Sequence, residues 1–440
     1  MTVPQYAWLQ IPSSQSWKVI LPSKTMAQIK SSAILPIIIG SKNKLVPITS
    51  TTNKPNIDPA KSQYTYPIRL MKKNNQYKAG PFIGILTTKS NRGFRGNAKN
   101  FIDIIQMGQK AGVFIFVFPA ETVDKIKKTV TAYLYDSTSK KWTTRILPFP
   151  DVVYNRIPSR KEEDRPVVQE MLDYFSKEKV PLFNPYFFNK WTLFEWLKEN
   201  QELAKLAPDT AILKEENLKF YLQKYPMLYL KPVDGKAGIG FIKIDKKDTT
   251  FYLTYQTHHM TYHQQFKNFQ SLWNKTRLLV GERKYIIQQG IFLNTYHNQS
   301  YDLRVLVQKN GKNVWKVTGI GARVAGNHSI TTHVPQGGTI QSIDQVLNET
   351  FAHEELSNEW KHKTSQLAIK IAEHIERKMG FPLGEMSMDW GIDKNGNLWF
   401  FEANAKPMEF DEPQIRQTSL LRLIQYFRYL SGFVPKGDSI

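Results

Sequence analysis

Leu228-Tyr229-Leu230-Lys231-Pro232-Val233-Asp234-Gly235-Lys236-Ala237-Gly238-Ile239-Gly240 reads as a strand ending in a lysine, a loop with three glycines, and the start of a second strand. Glycine lacks a Cβ, so backbone N–H groups in such a loop can approach a polyphosphate closely, while Lys231 adds a point charge. The stretch is not a P-loop, because the Lys-Ser/Thr ending and its spacing are absent. Nor is it a dinucleotide fingerprint, because a strand rather than a helix follows. Taken alone, it reads either as a phosphate-binding hairpin in an α/β chain or as an ordinary hairpin loop.

About 160 residues downstream, Met386 to Trp390 and Leu398 to Glu402 flank Lys394-Asn395-Gly396-Asn397, a hairpin signal. Cross-strand pairing would bring Asp389 and Glu402 together, and Asn404, two residues on, shares the face of Glu402. Two carboxylates and an amide oxygen form a hard, oxygen-only set suited to Mg²⁺.

The rest of the chain divides by texture. Residues 1–75 mix short apolar runs with Ser, Thr, Asn and Pro and predict a small strand-rich module, with 53–66 as a long loop. Residues 76–185 predict an α/β domain: a buried strand at Phe82 to Leu86, a helix at Ala98 to Ala111, and a second strand at Val113 to Phe118. Residues 186–282 would carry the glycine-rich loop, opened by one helix over Lys190 to Leu206. Residues 283–440 would hold the metal hairpin and a C-terminal helix. The helical periodicity at 357–380 is the clearest of all, closed by Gly380 and Pro382. His258, His259 and His263 lack a neighbouring carboxylate and read as surface histidines. The aromatic run from Tyr186 to Trp196 reads as core packing.

The 440 residues contain no cysteine, which excludes disulfides, thiolate nucleophiles and Cys-ligated zinc. No apolar run approaches the length of a membrane span, and the first residues carry no secretory pattern, so a cytoplasmic protein is expected. The formal charge of +22 is concentrated at one end: residues 1–150 hold 22 Lys/Arg against 5 Asp/Glu. Such a field favours an anionic partner, an acidic peptide or protein or an anionic membrane face, and reads equally as a solvated surface that keeps the chain soluble. Nucleic acid is not expected, because no recognition motif accompanies the charge.

Taken in order, Lys231-Pro232 with its glycine loop, Gln288-Gln289-Gly290-Ile291, Asp302-Leu303-Arg304, Arg323, and Asp389 with Glu402-Ala403-Asn404-Ala405 resemble the motifs of ATP-grasp ligases. With Asp151 to Ile157 and Phe400 to Asn404, the chain is most similar to the YheC/YheD family of endospore coat-associated ATP-grasp proteins. The resemblance implies an α/β (α+β) ATP-grasp fold behind a preceding α/β domain, with ATP and Mg²⁺ as cofactors and Mn²⁺ able to substitute. It implies that Lys190 and Lys231 contact phosphates and that loop 234–240 closes over them. Gln288 to Ile291 would meet adenine, and Asp302 would approach the ribose. Arg304 and Arg323 would face the transferred phosphoryl group, and Asp389, Glu402 and Asn404 would hold Mg²⁺. Related ligases carry an Arg and an Asn near Thr331 and His333, before Gln336-Gly337-Gly338, and an acidic residue where Gln289 stands. The implied activity is a carboxylate–amine ligase acting through an acyl phosphate, with association with the spore coat. The alternative is a spore-coat scaffold that retains an ATP-binding module.

Overall fold

The computed structural model describes residues 5–12, 17–22, 25, 34–50, 64–73, 76–235, 239–257, 260–326, 337–351 and 354–434. Lys236, Ala237, Gly238, Thr331, His333, Gln336, His258, His259 and most of the 53–66 stretch lie outside them.

The first strands alternate an apolar inward residue with an outward one. Ala7, Leu9, Val19, Leu21, Ile37, Ile39, Ile68 and Leu70 are all buried. They close into a six-stranded barrel of Gln5–Gln10, Lys18–Leu21, Lys42–Ser50, Ile34–Ile39, Gln76–Gly80 and Thr65–Lys73. Its Gln76–Gly80 strand runs past the expected boundary at residue 75, because Ile37 to Ile39 pair with Tyr77 to Ala79.

A second sheet is built on three parallel strands, Phe82–Thr87, Phe114–Pro119 and Val152–Asn155. Both faces of a parallel sheet are covered, so its strands are near-continuously apolar, and all six residues of Phe82–Thr87 are buried. The Ala98–Ala111 helix is capped by Asn97, whose side chain accepts from Asn100 N, and stops at Gly112 with φ +70°.

Two further six-stranded sheets hold the motifs. One runs Thr210–Ile212, Tyr285–Gln289, Met227–Pro232, Ile242–Lys247, Thr250–Gln256 and Thr261–Phe266; the Thr250–Phe266 hairpin is an addition to the strands expected from sequence. The other is centred on Gln299–Lys309, Trp315–Val324, Glu385–Ile392 and Leu398–Asn404. Period two sorts its residues. Leu303, Val305 and Val307, with Met386, Met388 and Trp390, pack against the Glu354–Met379 helix. Asp302, Arg304, Ser387 and Asp389 take the opposite face. Each fully buried large apolar side chain there contributes about 1.5–3 kcal/mol.

The single helix expected from Lys190 to Leu206 is two, Lys190–Lys198 and Gln201–Ala204. Asn200 interrupts it by accepting from the N–H groups of Glu202 and Leu203, a new N-cap.

Asn184 fastens the second sheet to the last one. At φ +54°, its Nδ2 donates to the carbonyls of Glu385, at 2.7 Å, and Ala405, and its Oδ1 accepts from Gly384 N at 2.8 Å. Asn184→Ala would leave these buried groups unsatisfied. The expected loss is about 2–3 kcal/mol of unfolding free energy, measured by urea denaturation.

Candidate active site

Lys231 ends its strand beside a cleft of about 370 Å³ between the last two sheets. Gln288, Gln289, Ile291, Asp302, Asp389 and Glu402 line the same cleft, so residues 171 positions apart in sequence meet there. The Lys231 Nζ donates to Gln288 Oε1 at 2.6 Å, and Gln288 Nε2 in turn donates to Thr210 Oγ1 at 3.1 Å. The ammonium also sits within 6 Å of three ring centres, Tyr229, Phe241 and Phe401, at 5.9, 5.4 and 5.6 Å. Sequence reasoning missed this cage. Tyr229 shares a strand face with Lys231 and Phe401 precedes Glu402, so alternation around the two charged residues was the available signal.

Burial pushes the Lys231 amine from 10.5 down to about 8, partly offset by Glu402, lowered further by Lys190, and pulled up by Asp389 and Asp302. At neutral pH the amine keeps its proton at a burial cost, so it is a cation that its surroundings compensate only in part.

Lys190 caps this arrangement from the other side by pairing with Glu402, both only 12% exposed at the side chain. Asn189 sets it there by capping the Lys190 helix through Trp191 N and Thr192 N.

Arg323 lies between two carboxylates. Its Nε and Nη2 donate to Asp302 at 2.8 and 2.6 Å, and its Nη2 lies 2.9 Å from Asp389 Oδ2. Asp302 and Arg323 are direct cross-strand partners, and Arg304 stands opposite Asp389. Arg304 is half-buried, donates to Met408 O at 3.4 Å, and stacks over Phe410 at 4.7 Å. Burial holds its pKa below the ordinary guanidinium value. Arg323 is thus committed to the carboxylates, whereas Arg304 is held by a carbonyl and a ring.

Asp389 pairs with Glu402 across the hairpin, and a register irregularity between Asp389 and Trp390 twists the strand at that point. Asp389 Oδ1 is buried and has no hydrogen-bond partner among the described residues. An anionic oxygen in that state is costly unless a cation completes it. Asn404 Nδ2 donates to Glu402 Oε1 at 3.2 Å, which leaves the amide oxygen as its remaining ligand atom. Among the described residues no three His, Cys, Asp or Glu side chains cluster for a metal. Two carboxylates and an amide instead match Mg²⁺, which takes few protein ligands and keeps positions for phosphate oxygens and water.

The glycine stretch is divided. Asp234 is exposed and turned toward Arg160, 3.6 Å away, and Gly235 N donates to Pro232 O at 3.2 Å. Beyond Ile239, Gly240 has φ +77° and its carbonyl accepts from Tyr285 Oη at 2.9 Å. Gly290 is needed for close approach: a Cβ there would lie 2.5 Å from Met227 Cγ. The Gln289 side chain accepts from Asp209 N at 3.2 Å, so it braces the neighbouring strand.

A nucleotide-sized cleft between two sheets, with buried lysines on one side and a carboxylate hairpin on the other, defines an ATP-grasp domain. Residues 179–430 match the family model described as YheC/D like ATP-grasp. The chain is 30% identical over 367 residues to endospore coat-associated protein YheD of Bacillus subtilis (strain 168), covering 81% of this chain and 80% of that protein. It belongs to the YheC/D-like ATP-grasp family. Endospore coat-associated protein YheC of the same strain is 24% identical over 292 residues, covering 63% of this chain and 76% of that protein. Among solved structures, D-alanyl-alanine synthetase A from Vibrio cholerae O1 biovar eltor str. N16961 is similar at TM-score 0.47 and 11% identity, covering 80% of this chain and 98% of that one. Among the described residues no helix is long and apolar enough to cross a membrane.

The depressed Lys231 pKa has a definite sign. Between pH 8 and 10.5 the unfolded lysine keeps a proton that the folded one has lost, so stability rises with pH there; below pH 8 the full penalty is present. Lys231→Met is expected to gain on the wild type by on the order of 1–3 kcal/mol at pH 7. By pH 10 most of that gain should vanish, as read from paired urea melts.

Proposed function

We propose that this chain is an ATP- and Mg²⁺-dependent ligase that joins a carboxylate to an amine through an acyl phosphate. The observation that carries the reading is the buried Asp389 Oδ1, without a hydrogen-bond partner among the described residues and set beside Glu402 and Asn404 on the cleft that Lys231 lines. A scaffold has no use for a buried anionic oxygen without a partner, and its cost persists only where a cation repays it.

Bound Mg²⁺ would neutralise phosphate charge and orient the γ-phosphoryl group. Asp389, Glu402 and the Asn404 oxygen would hold it. Lys231, a buried cation at neutral pH, and Lys190, released from Glu402, would bind phosphate oxygens. Gln289 to Ile291 would offer backbone groups to the base beside Met227. Arg304 is the cation free to exchange a weak carbonyl contact for a substrate oxygen, while Arg323 keeps Asp302 and Asp389 in place. A carboxylate oxygen would attack the γ-phosphorus as its bond to the ADP oxygen breaks. The amine nitrogen would then attack the acyl carbon, expelling phosphate and losing its proton to water. Positioning and charge neutralisation suffice for such a reaction.

The basic field of residues 1–150 supports an acidic peptide or protein as the substrate. The names of the two relatives support work at the endospore coat.

Purified protein with ATP, Mg²⁺ and pooled acidic peptides plus amino acids is expected to release ADP, and hydroxylamine is expected to trap the acyl phosphate as a hydroxamate. No substrate-dependent ADP from any pool would overturn the reading. Glu402→Gln is expected to lower ADP release at least about 100-fold, with circular dichroism unchanged.

A further inference from the structure

Among the described residues, the sheets end in edges that are blunted, with one exception. The barrel is closed. The second sheet ends in two-residue strands, Val123–Asp124 and Leu182–Phe183, and in Lys141–Pro148, which carries Lys141, Arg145 and Pro148. Thr210–Ile212 and Thr339–Gln341 are three residues long. Leu398–Asn404 is covered by residue 206, whose carbonyl accepts from Phe400 N at 2.7 Å. Short strands, charges, proline and cover are the means by which proteins keep sheet edges from pairing with other chains.

The exception is Thr261–Phe266, the outer strand of the sheet that carries Lys231. It is six residues long, pairs among the described residues only with Thr250–Gln256, and has exposed side chains at Tyr262, His263, Gln264 and Gln265. The sequence Thr-Tyr-His-Gln-Gln-Phe contains neither lysine nor proline. The neutrality extends further: residues 249–266 hold no Lys, Arg, Asp or Glu at all, in a chain of which 22% is charged. Met260 and Tyr262 beside the edge are 56% and 46% exposed.

We infer that Thr261–Phe266 is a dimerisation edge, which pairs antiparallel with the same strand of a second copy of this chain and joins two six-stranded sheets into one. Charge selects this occupant. Two copies at +22 each repel across most of their surfaces, and this long uncharged edge lets their backbones approach without placing like charges opposite one another. An acidic partner would gain nothing from a strand with no cation on it. Antiparallel pairing about a two-fold axis is self-complementary, so one strand supplies both halves of the ladder. Six residue pairs form a small interface, so the dimer dissociates on dilution, and the exposed Met260 and Tyr262 add apolar area beside the ladder.

Sedimentation velocity of the full chain from about 1 to about 200 µM tests this. The weight-average mass is expected to climb from the 51.0 kDa of the monomer toward twice that value. Gln264→Lys and Gln265→Lys, both at exposed positions, are expected to weaken the dimer at least about tenfold by placing a charge beside its own copy. Lys at Leu278, which is 76% exposed and off the edge, should leave it unchanged. Amide hydrogen exchange across 261–266 should slow as concentration rises. A monomer throughout the range would overturn the inference, as would a dimer that both edge lysines leave intact.

Discussion

Arg323 is the charge on which the catalytic face depends. It reaches Asp302 on the neighbouring strand and Asp389 one strand further, so a single guanidinium spans three strands of the sheet. Two buried carboxylates without it would repel each other in a medium that screens poorly, and the hairpin would lose the orientation that faces Asp389 toward the cleft. With it, one Asp389 oxygen is neutralised and the other is left over. On the proposed reading that remaining oxygen is the one a metal ion would take, while the pairs to Arg323 stay fixed.

The same balance recurs on the opposite wall. Lys231 is stripped of water and held by an amide oxygen and three ring faces, whereas Lys190 borrows Glu402. Each of these buried charges is partly matched by neighbouring protein groups. The protein has thus prepared its electrostatics before ligand arrives, and little reorganisation is left for the binding step.

How much of this was legible in sequence depended on range. The Lys231 strand and the Asp389–Glu402 hairpin are local patterns, decided by alternation and by an Asn-Gly turn, and both appear in the fold at those positions. The Ala98–Ala111 helix coincides with its expected limits because Asn97 and Gly112 are local stop signals. What alternation cannot encode is which distant segment arrives opposite. The Lys190–Glu402 pair joins positions 212 apart, and Asn184 reaches carbonyls at 385 and 405. Barrel closure is likewise a property of six strands together. The break at Asn200 was readable, since an Asn followed by a short amphipathic turn is a cap signal, but the continuing apolar spacing on both sides masked it.

Asn184 and Glu385 bear on a different question, that of where one folding unit ends. Glu385 accepts from Tyr154, from Arg156 at 3.2 Å and from Gln308 at 3.1 Å, so one buried carboxylate is shared by the second sheet and the catalytic sheet. Lys406 and Glu163 form a second buried link between the same two bodies. Severing them would strand several charges in a dry interface at once, a cost far above that of parting two ordinary domains. The border between these sheets is therefore one of topology, crossed by buried polar links that tie the two together.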